Sequence, residues 1–134
     1  MSQQFEQVVD FNQNILGIAV RELGVQDTDE FALSLAQMHE ELGEMKDAYN
    51  QGDFVALIDA MIDLQYFLLG VMYKNGLNVK LYEQIFTAVH DCNVTKKMGV
   101  KANRTGFNGA ADAVKPEGWV APETMIQQIL EMHQ

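Results

Sequence analysis

The chain is poor in cysteine, in positive charge and in imidazole. Its single cysteine, Cys92, excludes an internal disulfide and fits a reducing compartment. No activating partner can be assigned to it, so it reads as a small packed thiol. Nine basic residues stand against nineteen acidic ones, a formal charge of −10, which argues against nucleic acid as the main partner. Three histidines are few for zinc, and for a di-iron bundle with its repeated Glu-x-x-His. No repeat, low-complexity tract or strand-like alternation is present. The N-terminus opens polar (Ser2, Gln3, Gln4) and reads as no secretory leader. The longest apolar run, 55–72, is broken by Asp59, Asp63 and Gln65 and is too polar for a membrane span. At 134 residues the expectation is one cytoplasmic domain over 1–134, with no membrane partner.

Helices account for most of the rest. Phe5, Val8, Val9, Phe11, Ile15, Leu16 and the run 18–20 predict a first helix over 3–21. Asp27 predicts a helix start, with Glu30 as its capping-box partner. The second helix runs to about Tyr49 on a stripe of Phe31, Leu35, Met38, Leu42 and Met45, read as its core face. The turn 50–52 and a cap at Asp53 lead into a third helix, antiparallel to the second, that stops near Asn75 and Gly76. A fourth helix is expected over 79–97, with Leu81, Ile85, Phe86 and Val89 inward. Residues 98–118 read as a long loop, and Pro122 opens a last helix through Ile126, Ile129 and Leu130. The fold class is all-α: a four-helix bundle with an additional C-terminal helix.

The third helix is apolar all round, which predicts a buried element, yet it contains Asp59 and Asp63 four residues apart on one face. A buried carboxylate is costly unless it is paired, hydrogen-bonded or bound to a cation, and two stacked ones repel. The second helix carries Glu40, Glu41 and Glu44. At about 100° per residue, Glu41 and Glu44 flank the apolar stripe and aim at the third helix, while Glu40 lies further towards solvent. Acidic groups on one helix are ordinarily a solvated face; Asp59 and Asp63, within an apolar helix, do not allow that here. Converging carboxylates suit a hard divalent cation, Mg2+ above all, with Mn2+ as a substitute. Five of the nine basic residues (Lys96, Lys97, Lys101, Arg104, Lys115) fall in one stretch whose only acid is Asp112. An acidic protein that gathers its positive charge this way has a place for an anion.

The blocks Glu40-Glu41-x-x-Glu44 and Asp59-Ala-Met-Ile-Asp63 resemble the E-E-x-x-E and E-x-x-D signature of the MazG-like all-α nucleoside triphosphate pyrophosphohydrolases. Ala60 departs from that pattern where a glutamate is expected, and Asp59 stands one position earlier. V-H-D-C-N-V-T-K-K (89–97) and V-K-P-E-G-W (114–119) look like a phage and bacterial subgroup. The resemblance covers most of the chain from about Phe31. It implies hydrolysis of a nucleotide substrate between its α and β phosphates. Glu41, Glu44 and Asp63 would hold magnesium. Glu40 or Asp59 would serve as base, making Glu40 and Glu41 the catalytic candidates and Asp59 a further metal ligand. Lys96, Lys97, Arg104 and Lys115 would bind phosphate and Asn93 phosphate or sugar, with 98–118 as a basic substrate loop. Family character alone puts Phe11 and Gln13 near a base. Trp119 either stacks on a base or anchors the loop, and His90 either binds substrate or packs.

Four short helices can hardly cover the third one, so a homodimer or homotetramer is expected. Two alternatives stand beside this reading. One is phosphoribosyl-ATP pyrophosphohydrolase, which shares the acidic block but usually lacks the basic loop. The other is a non-catalytic helical interaction or regulatory module, which Ala60 would suit.

Overall fold

The computed structural model describes residues 3–101, 103–104, 106–107 and 109–133. It divides into two compact units, one up to Val79 and one from Lys80. The first holds α1 (Gln3–Asn14), α2 (Thr28–Gln51) and α3 (Phe54–Lys74). The second holds α4 (Val79–Asn93), β1 (Lys97–Val100), β2 (Ala111–Val114) and α5 (Glu123–Glu131). The class is all-α, with one small two-stranded ribbon.

Local chemistry sets the helix ends. The Asp27 carboxylate accepts from the backbone N–H of Asp29 and Glu30, and Asp53 caps α3 by accepting from Ala56 N–H at 3.0 Å. Between them Gly52 takes the left-handed conformation (φ 67°) that closes α2. Only Gly52 and Asp53 separate α2 from α3, and the two helices pack along their length as an antiparallel hairpin. The capping box does not form. Glu30 turns instead to Arg21, its Oε2 accepting from Nη2 at 2.8 Å, and to Gln26 Nε2 at 3.0 Å. A bidentate guanidinium is the stronger donor for that carboxylate, and it holds the Glu30 carboxyl below its usual range.

The first helix is shorter than its apolar pattern predicts. It ends at Asn14, and Gly17 (φ 69°) turns the chain. Residues 18–26 then run as a connector pinned to the end of α3. Tyr73 donates its hydroxyl to Ile18 O at 2.7 Å. Asn75 accepts from Gln26 N–H at 2.9 Å and donates to Gln26 Oε1 at 2.7 Å. Gly76 (φ 89°) lies under this strap, where a Cβ would stand 2.7 Å from Leu23 Cα and strike the Glu22 backbone. Gly76→Ala therefore combines a left-handed φ with a backbone clash. Urea unfolding is expected to show a loss of about 3 kcal/mol, and a loss below about 1 kcal/mol would contradict this packing.

Phe5 and Val8 of α1, Ala48 of α2 and Ala60, Leu69 and Tyr73 of α3 are buried. The expected core stripe of α2 is not the buried one. Ser34 and Ala48 are buried and Glu41 half-buried, whereas Phe31, Leu35 and Leu42 remain exposed. Small side chains let α2 and α3 approach closely, which leaves the large apolar stripe about a quarter-turn away. Helix α3 likewise is not enclosed: Phe54, Val55, Ile58, Met61 and Ile62 are exposed. By length and composition α3 could cross a membrane, but its two aspartates are within electrostatic reach of α2 carboxylates.

In the second unit α4 stops at Asn93, four residues short of the expected end, and Phe86 is exposed rather than inward. The expected loop contains an antiparallel ribbon in which Lys97 faces Val114 and Gly99 faces Asp112. A Cβ at Gly99 would come within 2.8 Å of the Val114 side chain, so the close pairing there needs glycine. Residues 102, 105 and 108 of that segment lie outside the described residues. Pro122 precedes α5 at its cap position, one residue before the expected place.

Candidate active site

Four carboxylates, Glu41, Glu44, Asp59 and Asp63, lie within electrostatic reach of one another across the α2–α3 hairpin. Burial, a hydrogen bond with Glu44, and the charges of Glu44, Asp63 and Asp59 push the Glu41 carboxyl up to about 6. Burial, then Asp59 and Glu44, raise Asp63 as well. Glu41 Oε2 is fully buried, and among the described residues no donor reaches it. Its neighbour Glu44 is another acceptor, so the two can hydrogen-bond only when one carries a proton. Burial comes first, and this shared proton second, in raising the Glu41 carboxyl. Glu44 and Asp59 are exposed and Asp63 is half-buried, so the cluster opens to solvent on one side. Glu40 is exposed and is not among the charges that raise Glu41.

An orphaned, buried carboxylate oxygen among like charges is what a hard cation would satisfy, and the donor set is oxygen only. The fit is one of chemistry rather than of a preformed cage. Among the described residues no three carboxylate, imidazole or thiol groups are gathered at metal-ligand spacing.

The expected phosphate contacts lie in the second unit. Lys96 and Lys115 place their ammonium groups 5.0 and 5.1 Å from the centre of the Trp119 ring. Trp119 donates its indole N–H to Cys92 O at 2.9 Å, which ties the segment after β2 to the end of α4. Asn93 and Lys97 are exposed. Arg104 already has a partner: its Nε and Nη2 donate to Asp112 Oδ2 at 2.9 and 2.6 Å, with Lys101 at 3.9 Å from the other oxygen. This pairing holds the Asp112 carboxyl below its usual range.

Sequence reasoning passed over two side chains, Asn12 and Ser34. Both are buried, and each has a side-chain oxygen without a partner. The seven-residue spacing of Ser34, Glu41 and Ala48 was the available signal, because it marks a seam of small and polar residues beside the apolar stripe.

The hairpin and its carboxylates define the class: a MazG-like all-α protein. More particularly, the chain belongs to the phosphoribosyl-ATP pyrophosphohydrolase family, whose model matches residues 21–93. Members of that family are pyrophosphohydrolases. The match takes in both acidic blocks and ends at Asn93, ahead of the ribbon and α5. No curated protein matches the chain.

Proposed function

We propose that the chain hydrolyses a ribo- or deoxyribonucleoside triphosphate to the monophosphate and pyrophosphate, as a house-cleaning activity of the cytoplasmic nucleotide pool. Mg2+ is the proposed cofactor, with Mn2+ able to replace it. The observation that carries this is Glu41, with a buried oxygen lacking a donor on the hairpin that the family match covers. Glu41, Glu44, Asp59 and Asp63 would hold the ion. Bound there, it would polarise phosphoryl oxygens and lower the pKa of an attacking water.

The chain's own residues supply the rest. Glu40, exposed beside Glu41, or Asp59, where it is not itself a ligand, would take the proton from the attacking water. Asn93, Lys96, Lys97 and Lys115 are the proposed phosphate contacts, joined by Arg104 if phosphate displaces Asp112. The uncovered stripes of α2 and α3 support a homodimer or homotetramer.

Phosphoribosyl-ATP is the second reading, favoured by the family match. Plain triphosphates are placed first because the basic segment falls outside the matched residues. Pyrophosphate release is to be measured from ribo- and deoxynucleoside triphosphates and from phosphoribosyl-ATP, with and without Mg2+. Magnesium-dependent release from a plain triphosphate is the expected result. Release from phosphoribosyl-ATP alone would move the assignment there, and release from neither would leave a non-catalytic module.

A further inference from the structure

Five basic residues fall within 96–115, and Asp112 is the one acid among them. That acid already engages two of the five. Arg104 Nε and Nη2 both donate to Asp112 Oδ2, at 2.9 and 2.6 Å, and Lys101 Nζ stands 3.9 Å from Oδ1. Among the described residues Lys96, Lys97 and Lys115 form no ion pair. A carboxylate set against the edge of a guanidinium, with an ammonium beside it, occupies the donors that a phosphate group would use.

The two partners of this pair are not held alike. Asp112 belongs to β2, where it faces Gly99 of β1, and its Oδ1 also accepts from the Ala113 N–H at 2.8 Å. Arg104 stands in the segment between the strands. Its side chain is 54% exposed, against 27% for Asp112. The carboxylate is thus fixed to the ribbon, and the guanidinium is the partner open to solvent. An exposed pair of this kind is weak enough for a dissolved anion of higher charge to replace its carboxylate. The carboxylate is tethered, however, so it competes for Arg104 at every anion concentration. The apparent affinity for an anion that uses Arg104 is lowered by the fraction of time the pair is closed.

Resting on the reading above that Arg104 is a phosphate contact, we infer that Asp112 is a tethered competitor: it holds Arg104 away from anions until a polyphosphate takes the guanidinium over. The segment has two arrangements, one with Arg104 on Asp112 and one with Arg104 on the phosphate. Asp112 does not touch the ligand; it sets the concentration at which the segment responds. An acid that merely stapled the ribbon would have the opposite effect. It would hold Arg104 ready for the anion, and its loss would weaken binding.

The test is calorimetric titration of inorganic pyrophosphate into the full chain without metal, for wild type, Asp112→Asn, Arg104→Met and the double variant. Asparagine keeps an oxygen for the Ala113 N–H, so the strand pairing is retained. Asp112→Asn is expected to bind pyrophosphate about fivefold more tightly than wild type. In the Arg104→Met background the same change should alter binding by less than about twofold, because the competitor then has nothing to hold. A wild type too weak to titrate beside an Asp112→Asn that titrates counts as the gain. The inference is overturned if Asp112→Asn binds as wild type does or more weakly, which is the result a staple gives. It is equally overturned if the gain is the same without Arg104, as general loss of negative charge would produce, or if none of the four proteins binds pyrophosphate. Pyrophosphate release from nucleotides tests the reaction separately. The gain without release leaves the competitor standing and removes the reaction, and release without the gain does the reverse.

Discussion

Glu41→Gln is expected to abolish pyrophosphate release, by at least about a thousandfold in kcat, while making the metal-free protein more stable at pH 8. The two effects share one cause. The wild-type carboxyl titrates at about 6 in the folded chain against an ordinary 4.5. The folded state therefore binds the extra proton, and the stability this contributes is complete below about 4.5 and lost as pH rises through about 6. Glutamine occupies the same site with no charge to desolvate and with an N–H to offer Glu44. The gain in Tm should accordingly be present at pH 8 and disappear near pH 4. Magnesium should reverse the order. At a hundred times its Kd, an ion that binds only the folded state adds about 2.7 kcal/mol, and the variant should not receive it. A variant that is less stable than wild type at pH 8 without metal would show that Glu41 is satisfied by contacts other than those argued here. Glu40→Gln, outside the cluster, should leave the pH dependence of stability unchanged and lower kcat only if Glu40 is the base.

The second large effect concerns the uncovered faces. Ile58 and Ile62 lie one turn apart on the outer side of α3, and Ile62 is 55% exposed. Together with Phe54, Val55 and Met61 they form a continuous apolar strip, and α2 adds Phe31, Leu35 and Leu42. Closing two such hairpins on each other would give each strip the partner it lacks, in the manner of a symmetric dimer. Ile62→Lys should therefore convert an assembly into a species of 15.1 kDa in sedimentation. It should leave the helical circular dichroism in place but lower Tm. Wild type that sediments as a monomer at tens of micromolar would sink this proposal. Co-sedimentation with lipid vesicles would assign the strip to a bilayer instead.

The sequence made the helix boundaries readable wherever a cap residue carried the signal. Asp27, Asp53, Gly52 and the pair Asn75–Gly76 each act within a few residues of their own backbone. The end of α1 was missed because apolar residues continue through 15–20, and periodicity does not register that Gly17 has reversed the chain. The ribbon was missed for a related reason: four-residue strands joined across ten residues have too little alternation to stand out. More instructive is α2. Its heptad of large apolar residues was legible, but a pattern marks which face is apolar and does not say what covers it. The seam against α3 is built from Ser34, Glu41 and Ala48 instead. The carboxylates of the candidate site stood out as acids beside apolar residues, but the burial expected of both aspartates is not found: Asp63 is half-buried and Asp59 is exposed, because α3 is not enclosed. Asn12 and Ser34 did not stand out, because a neutral polar residue in a helix reveals itself only once its missing partner can be seen.

Trp119 is the only tryptophan in the chain. Two ammonium groups lie over its ring and its indole N–H is engaged by a carbonyl. Indole emission responds to such charges, so the native fluorescence of the second unit is tuned by Lys96 and Lys115. Any phosphate that draws those lysines away should change the emission colour and intensity without a label or a coupled assay. If phosphate binds as proposed, Trp119 is an optical gauge for it, and Lys96→Met should blunt the response. The same reading could follow nucleotide arrival in a stopped-flow instrument, separately from the chemistry that comes after.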